Sequence, residues 1–118
     1  VEPVQETVVW MVRNKDYIGT VDIRHRLNWH LEKWGGHVHF VIRPSLRGSG
    51  LGEIMLRKAL PIINYIGIDE ALFTVDLDNS WAIHILEKLI NELGGQFEDE
   101  TPATDKFPAQ RRYWLNCS

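Results

Sequence analysis

The amino-acid sequence predicts a single layered domain of mixed α/β class. Its 118 residues are enough for one hydrophobic core. β-Branched and aromatic runs of strand length alternate with two segments whose apolar residues recur at helical spacing. Glycine, proline and asparagine separate these segments, which is typical of turns. The predicted order of elements is therefore β-β-β-α-β-α-β-β.

The first three predicted strands lie close together in the chain. Residues 7–13 and 17–23 are rich in β-branched and aromatic side chains, and residues 14–16 between them have turn chemistry. A hairpin is the simplest interpretation of this pattern. Residues 37–42 alternate polar and apolar side chains and form the third strand, which ends at Pro44.

A helix and a buried strand follow. Apolar residues recur at helical spacing over residues 51–60, which predicts the first helix. Pro61 should kink or shorten this helix, because proline lacks an N–H and crowds the preceding turn. Residues 71–75 are uniformly apolar apart from one threonine, so they are expected to form a short buried strand.

The second helix and two closing strands complete the predicted domain. The helix is capped at residues 79–80, carries an apolar stripe, and ends at the glycine pair 94–95. Residues 96–98 and 111–115 are candidate closing strands. An acidic loop is expected to join them over residues 99–106.

Composition and charge exclude several function classes. Sixteen acidic against thirteen basic residues give a net charge of −3, which argues against a general nucleic-acid binder. No uncharged stretch approaches the about 20 apolar residues that a membrane span needs. The single cysteine, Cys117, cannot form an internal disulfide, which favours a reducing compartment. We therefore expect a cytoplasmic protein with neither a membrane nor a nucleic-acid partner.

The tryptophans fall into two groups. Trp10 and Trp114 lie in predicted strands and are expected in the core. Trp29 and Trp34 lie in a polar loop and are candidate ligand or interface contacts.

The glycine-rich turn between the third strand and the first helix is the most informative segment. Gly48, Gly50 and Gly52 leave backbone N–H groups uncovered at the positive end of the helix dipole. Arg47 adds a cation, so the turn suits a phosphate or pyrophosphate. A plain tight turn is the alternative. The segment lacks the spacing of a dinucleotide fingerprint and the lysine of a P-loop.

Residues 47–52, Arg-Gly-Ser-Gly-Leu-Gly, resemble the pyrophosphate motif of the GNAT family of N-acetyltransferases. A later motif of the family, in which an asparagine contacts coenzyme A, is similar to the residues Asn79, Ala82, Glu87 and Lys88. Similarity to an uncharacterised predicted-acetyltransferase subgroup lies at residues 23–28, 35–37 and 112–114. The resemblance implies an α+β fold with a mostly antiparallel sheet and helices packed on it.

The resemblance also implies acetyl-CoA as co-substrate and no metal. The pyrophosphate of the coenzyme would bind the glycine turn, and its pantetheine arm would pair with the third strand. An asparagine would contact the end of the pantetheine that is far from the pyrophosphate. The implied coenzyme contacts are Val41, Ile42, Arg43, Arg47, Gly48, Ser49, Gly50, Leu51, Gly52 and Asn79. A primary amine, on a small molecule or a peptide, would attack the thioester directly in a ternary complex. The N–H of Ile42 would stabilise the carbonyl oxygen.

Three side chains are candidates for proton transfer. His37 and His39 project from one face of their strand, and either could deprotonate an ammonium group. A structural role is the alternative for both, and a zinc site is disfavoured because no further ligands lie nearby in sequence. Tyr113 could protonate the leaving thiolate, since Leu86 occupies the position where many family members carry a tyrosine. Core packing is its alternative.

Acceptor binding and assembly complete the expectations. His25 and Asn28 are candidates for acceptor recognition, with a loop-capping role as the alternative. A complete domain of the family begins with a strand and two helices that we do not find here. Residues 1–118 are therefore expected to form one N-terminally short GNAT-like domain, with surface that favours a homodimer. An acyl-CoA-binding or interaction module without activity, and a nucleotide-phosphate binder, are the alternative functions.

Overall fold

The computed structural model describes residues 4–28, 31–32 and 35–118. Its strands are β1 (Glu6–Arg13), β2 (Asp16–Arg24), β3 (Val38–Ile42), β4 (Glu70–Asp76), β5 (Gly95–Thr101) and β6 (Gln110–Asn116), and its helices are α1 (Leu51–Ile66) and α2 (Ser80–Leu93). One six-stranded sheet has the order β1-β2-β3-β4-β6-β5. Only the β3–β4 pair is parallel among these strands. The predicted class and order of elements are confirmed.

Both helices pack on the same face of the sheet. Alternate strand residues turn to this face, because side chains along a strand point to opposite sides in turn. The core that they form with the helices includes Val21, Ile23, Val38, Phe40, Phe73, Tyr113, Leu56, Ile63, Leu86 and Leu89. Within the described part of the chain, neither helix has the length and apolar character needed to cross a bilayer.

The prediction that Trp10 lies in the core is wrong. Its side chain is 66% exposed, on the sheet face opposite the helices. The strand alternation explains this, because Val9 and Met11 are the β1 residues that pack against the core. Trp10 instead makes an edge-on contact with Tyr17, at 5.6 Å between ring centroids. The prediction is also wrong for Trp114, whose half-buried side chain lies on the face opposite the helices, because Tyr113 and Leu115 are the β6 residues that pack in the core.

The predicted shortening of α1 at Pro61 is wrong, since the helix continues to Ile66. Proline removes one hydrogen bond, to the carbonyl of Arg57. The last turn stays helical because it keeps Ile63 fully buried against the sheet. Pro61 itself lies on the exposed side of the helix.

The predicted acidic loop begins too early. Asp99 and Glu100 belong to β5, which extends to Thr101. Two cross-strand ion pairs favour this extension, from Asp99 to Arg112 and from Glu100 to Arg111, both at 3.1 Å.

Candidate active site

The parallel strands β3 and β4 separate along their length. They are held together at one end, where the His37 N–H donates to the Leu72 carbonyl at 2.8 Å. The only register pair between the two strands in the described residues joins Val38 and Phe73. Beyond this pair β4 continues to pair with β6, so a gap opens between β3 and β4 toward Ile42.

The backbone of β3 offers free pairing groups on the side of the gap. The Arg43 N–H donates to the Ile18 carbonyl of β2 at 2.8 Å. Successive N–H groups in a strand point to opposite sides, so the Ile42 N–H points into the gap. An extended ligand could therefore pair with β3 where β4 does not.

The glycine turn leads from the end of β3 into α1. Gly48 and Gly50 have φ values of 81° and 87°, which favour glycine, and a Cβ on either would meet nothing within 4 Å. No side chain caps α1 at Gly50. The Leu51 N–H reaches the Ser49 Oγ only at 3.4 Å, so the first-turn N–H groups are available to a ligand.

A cleft of about 250 Å³ lies between this turn and α2. Its lining residues are Ile42, Arg47, Gly48, Gly50, Gly52, Glu53, Trp81, His84 and Ile85. The Arg47 guanidinium lies over the Trp81 ring, 5.5 Å from its centroid. A Cβ on Gly52 would approach Trp81 and Ile85 to 3.2 Å, so glycine here permits close packing of the two helices. The cleft thus combines free N–H donors, a cation and an apolar wall.

The Glu53 carboxylate brings a negative charge to the cleft, and two cations offset it. It accepts from Lys88 Nζ at 2.9 Å and from Arg57 Nε at 3.0 Å. These hydrogen bonds, that from Lys88 first, hold the pKa of Glu53 below its usual value. Arg57 also pairs with Glu92. The charges around the start of α1 therefore leave the Arg47 cation to face an anionic ligand.

A second, smaller cavity of about 60 Å³ occupies the gap between β3 and β4. Its lining residues are His39, Phe40, Thr74, Val75, Asp76, Asn79, Ala82 and Gln110. Phe40 of this cavity packs edge-on against Trp81 of the cleft, at 5.6 Å between ring centroids. Asn79 caps α2, its Oδ1 accepting from the Ala82 N–H at 3.4 Å. The two cavities are thus neighbours on either side of one aromatic pair.

The two candidate histidines have different surroundings. The His37 Nδ1 accepts a hydrogen bond from the Leu72 N–H at 3.0 Å, and its buried ring packs on Trp114. Burial lowers the pKa of His37, and its accepting nitrogen is already occupied. His39 lies exposed at the small cavity. Desolvation is the main cause that lowers the pKa of His39, Arg24 lowers it further, and Asp76 raises it. His39 is therefore a neutral imidazole near pH 7 that can accept a proton.

Tyr113 and Leu86 both belong to the core. Tyr113 is 1% exposed, and its hydroxyl donates to Glu87 at 2.9 Å while accepting from Arg111 at 3.4 Å. Desolvation is the largest cause that raises the pKa of this phenol. Tyr113 lines neither the cleft nor the small cavity. Leu86 is fully buried under the sheet. The structure therefore does not bring Tyr113 together with His39.

The candidate acceptor residues lie at the opposite end of β3. His25 contacts the Thr7 hydroxyl at 2.6 Å, and the Asn28 Oδ1 accepts from the Leu31 N–H at 2.9 Å. The start of β3 adjoins this region, and the strand then runs about 13 Å to Ile42, at about 3.3 Å per residue. His25 and Asn28 line neither cavity. The candidate contacts Trp29 and Trp34 lie outside the described residues.

Several lining residues were not singled out in the sequence. Trp81 and Ile85 lie four residues apart on one face of α2, and this helical spacing could have identified them. His84 lines the cleft from the same helix. Asp76 and Gln110 meet only because they are register partners on β4 and β6. No local sequence pattern specifies that register.

Comparisons with known proteins agree with this geometry. A family profile for the acetyltransferase (GNAT) domain matches residues 2–89. A mutant of the spermidine N-acetyltransferase SpeG from Vibrio cholerae has a TM-score of 0.69 at 18% identity, covering 96% of this chain and 66% of that one. An acetyltransferase of the GNAT family from Streptococcus pneumoniae has a TM-score of 0.68 at 19% identity, covering 94% and 66%. The chain thus spans about two thirds of the length of these structures. Curated protein sequences give no significant match.

Proposed function

Since the chain belongs to the GNAT acetyltransferase family, we propose that it transfers an acetyl group from acetyl-CoA to a primary amine in the cytoplasm. The observation that carries the proposal is that two features of the structure lie next to each other. Uncapped N–H groups at the start of α1 follow directly on β3, whose backbone faces a gap in the sheet. A pyrophosphate and an extended pantetheine chain need these two features side by side. Residues 1–118 act as one domain in this proposal.

The coenzyme occupies the cleft and the gap. The pyrophosphate accepts hydrogen bonds from the turn Arg47 to Gly52, with the Arg47 guanidinium as a further donor. The pantetheine amides pair with β3 between Val41 and Arg43. The Asn79 side chain, beside the small cavity, contacts the end nearest the thioester. The Ile42 N–H then lies where it can stabilise the thioester oxygen as negative charge develops.

His39 is the proposed general base. The imidazole takes one proton from the ammonium group of the acceptor and becomes imidazolium. The freed amine attacks the thioester carbon, the C–S bond breaks, and the thiolate leaves with the sulfur electron pair. The amine nitrogen loses its second proton as the amide forms, and that proton passes to the thiolate. Cys117 does not carry the acetyl group, since burial raises the pKa of its thiol to about 11.

The acceptor is a primary amine on a small molecule or a peptide. Because structural neighbours are named spermidine N-acetyltransferases, spermidine is the first acceptor to test. His37 and Tyr113 have structural roles in this proposal, because the polar groups of both side chains already have hydrogen-bond partners. His25 and Asn28 stay outside the reacting centre in this proposal.

One observation favours a second candidate function, a coenzyme-binding module without turnover. Leu86 and the engaged Tyr113 leave no tyrosine hydroxyl at either cavity in the described residues. In that case acetyl-CoA binds, and no amine is acetylated.

Calorimetric titration with acetyl-CoA, using ATP as the control, tests the coenzyme half of the proposal. We expect micromolar affinity for acetyl-CoA and much weaker affinity for ATP. Equal affinity for the two would indicate a nucleotide-phosphate site instead. Failure of a folded chain to bind acetyl-CoA would remove the proposed coenzyme site.

We also propose that β1 contacts a second copy of the chain. Val8, Trp10 and Val12 are all more than half exposed on this edge strand, and such strands tend to pair. Sedimentation equilibrium should show a dimer, and Trp10→Lys should yield a monomer. A wild-type monomer at high protein concentration would remove this part of the proposal.

A further inference from the structure

Gln110, one of the residues around the small cavity, has a buried side-chain oxygen that lacks a hydrogen-bond donor among the described residues. The Gln110 Nε2 donates to the Asp76 Oδ1 at 3.1 Å. The Gln110 Oε1 is buried and has no partner in the part of the chain that the structure describes. Reversing the amide would set its oxygen against the carboxylate, so Asp76 fixes the side-chain orientation. Buried polar atoms in native proteins are usually paired with protein groups or ordered water, so this oxygen has the capacity to accept one further hydrogen bond.

The neighbouring groups define what this donor must be. Asp76 and Gln110 are directly opposite on β4 and β6, and both line the cavity with His39. A carboxylate and an amide oxygen both accept hydrogen bonds, and the carboxylate adds a negative charge. A group that donates several hydrogen bonds and carries positive charge satisfies both, and a primary ammonium is that group.

The size and position of the cavity agree with an ammonium group. Its volume of about 60 Å³ exceeds the roughly 10–15 Å³ that a single water requires. It can hold an ammonium and the carbon beside it. His39 at the same cavity is the proposed base, so an ammonium held there would meet its proton acceptor.

A pantetheine amide is the main competitor for the free oxygen. Its N–H could donate to the Gln110 Oε1, but a neutral amide gains little from the Asp76 charge. The first turn of α1 and the β3 backbone already offer the coenzyme its pairing groups. The charge of Asp76 therefore favours the acceptor amine over the coenzyme.

We propose that Asp76 and Gln110 form the recognition site for the ammonium group of the acceptor. This inference rests on the proposed acetyl transfer. Asp76 attracts the charged amine, and the Gln110 oxygen accepts one of its N–H bonds. The pair orients the remaining N–H bonds toward His39, which takes one proton before attack on the thioester. Both residues contact substrate in this arrangement, and neither exchanges a proton.

Two variants and two matched controls test the site. Asp76→Asn removes the charge at constant shape, and Gln110→Met removes the free oxygen at similar length. Glu70→Gln makes the same charge change at the exposed start of β4, and Gln96→Met makes the same polarity change on exposed β5. Each protein is titrated with acetyl-CoA and assayed for thiol release with a panel of primary amines, spermidine first.

We expect the KM for the best amine to rise about tenfold or more in Asp76→Asn, the loss expected for a hydrogen bond to a charged group. Gln110→Met should also raise this KM about tenfold or more, because the ammonium donor of its hydrogen bond is charged. The Kd for acetyl-CoA should stay within about twofold of wild type, as should both parameters in the controls. Thermal unfolding checks the fold, and Asp76→Asn carries the test if Gln110→Met unfolds.

The outcomes distinguish failure of this inference from failure of the proposed acetyl transfer. An unchanged amine KM in a folded Asp76→Asn that still acetylates would overturn the inference and leave acetyl transfer standing. A weaker acetyl-CoA Kd with unchanged amine KM would assign the pair to pantetheine, which also overturns it. If wild type binds acetyl-CoA and acetylates no amine, the proposed transfer fails and the recognition site fails with it.

Discussion

Substitution of Gly50 should separate backbone strain from loss of coenzyme binding. Gly50 has a φ of 87°, and its missing Cβ would meet nothing within 4 Å. The cost to the free protein is therefore conformational, about 1–2 kcal/mol for an ordinary side chain in this region. Asparagine tolerates the left-handed region better. Gly50→Asn should thus lower the free energy of unfolding by about 1 kcal/mol or less.

The effect on binding should be larger than the effect on stability. A side chain at Gly50 enters the cleft at its phosphate end and keeps the pyrophosphate from the backbone N–H groups. Losing one hydrogen bond to a charged group costs about 1.5–3 kcal/mol, which is about 10- to 150-fold in Kd. Calorimetric titration with acetyl-CoA measures this change, and chemical denaturation measures the stability.

Gly67 provides the matched control for this experiment. It ends α1 with a φ of 111°, and a Cβ there would also meet nothing within 4 Å. Gly67→Asn therefore introduces similar strain at the other end of the same helix. It should bind acetyl-CoA as the wild type does. Wild-type affinity in Gly50→Asn, or equal weakening in both variants, would refute the assignment of the phosphate site.

Further predictions concern the proton-transfer groups. His39→Gln should lower kcat about 100-fold or more. His37→Gln should instead lower the free energy of unfolding by about 1–3 kcal/mol, the cost of an unpaired buried N–H, and its folded fraction should keep the wild-type kcat. The value of kcat/KM should fall as the pH drops through the His39 pKa, because only the neutral ring accepts a proton. Desolvation lowers this pKa from its usual value of 6.5. Asp76→Asn should move this limb to lower pH and Arg24→Gln to higher pH, since Asp76 raises that pKa and Arg24 lowers it. Tyr113→Phe should keep kcat within about twofold, and a loss above tenfold would restore it as the proton donor.

The order of elements and the glycine turn could be predicted from the sequence because both depend on local rules. Alternating apolar residues identify strands, and apolar residues at helical spacing identify helices. Closely spaced glycines identify the turn, because glycine readily adopts positive φ. Helix α1, for example, begins at the predicted residue 51. The resemblance of residues 47–52 to a family motif then pointed to the coenzyme.

The remaining features depend on contacts between distant segments. Trp10 is strongly hydrophobic, yet the side of the sheet on which the helices pack leaves it exposed. His37 and His39 are equivalent in the sequence, and only the neighbouring Leu72 N–H distinguishes them. The small cavity depends on the register of β4 with β6, which pairs Asp76 with Gln110. Hydrophobic patterning does not specify these relationships.

The most direct test of the central claim is to incubate the 118-residue chain with acetyl-CoA and spermidine, and to analyse the products by mass spectrometry. We expect a monoacetylated amine and an equal amount of free coenzyme A, both formed about 100-fold or more slowly by His39→Gln. Coenzyme binding by the folded chain with no acetylated product from spermidine or any other primary amine of the panel would contradict the claim.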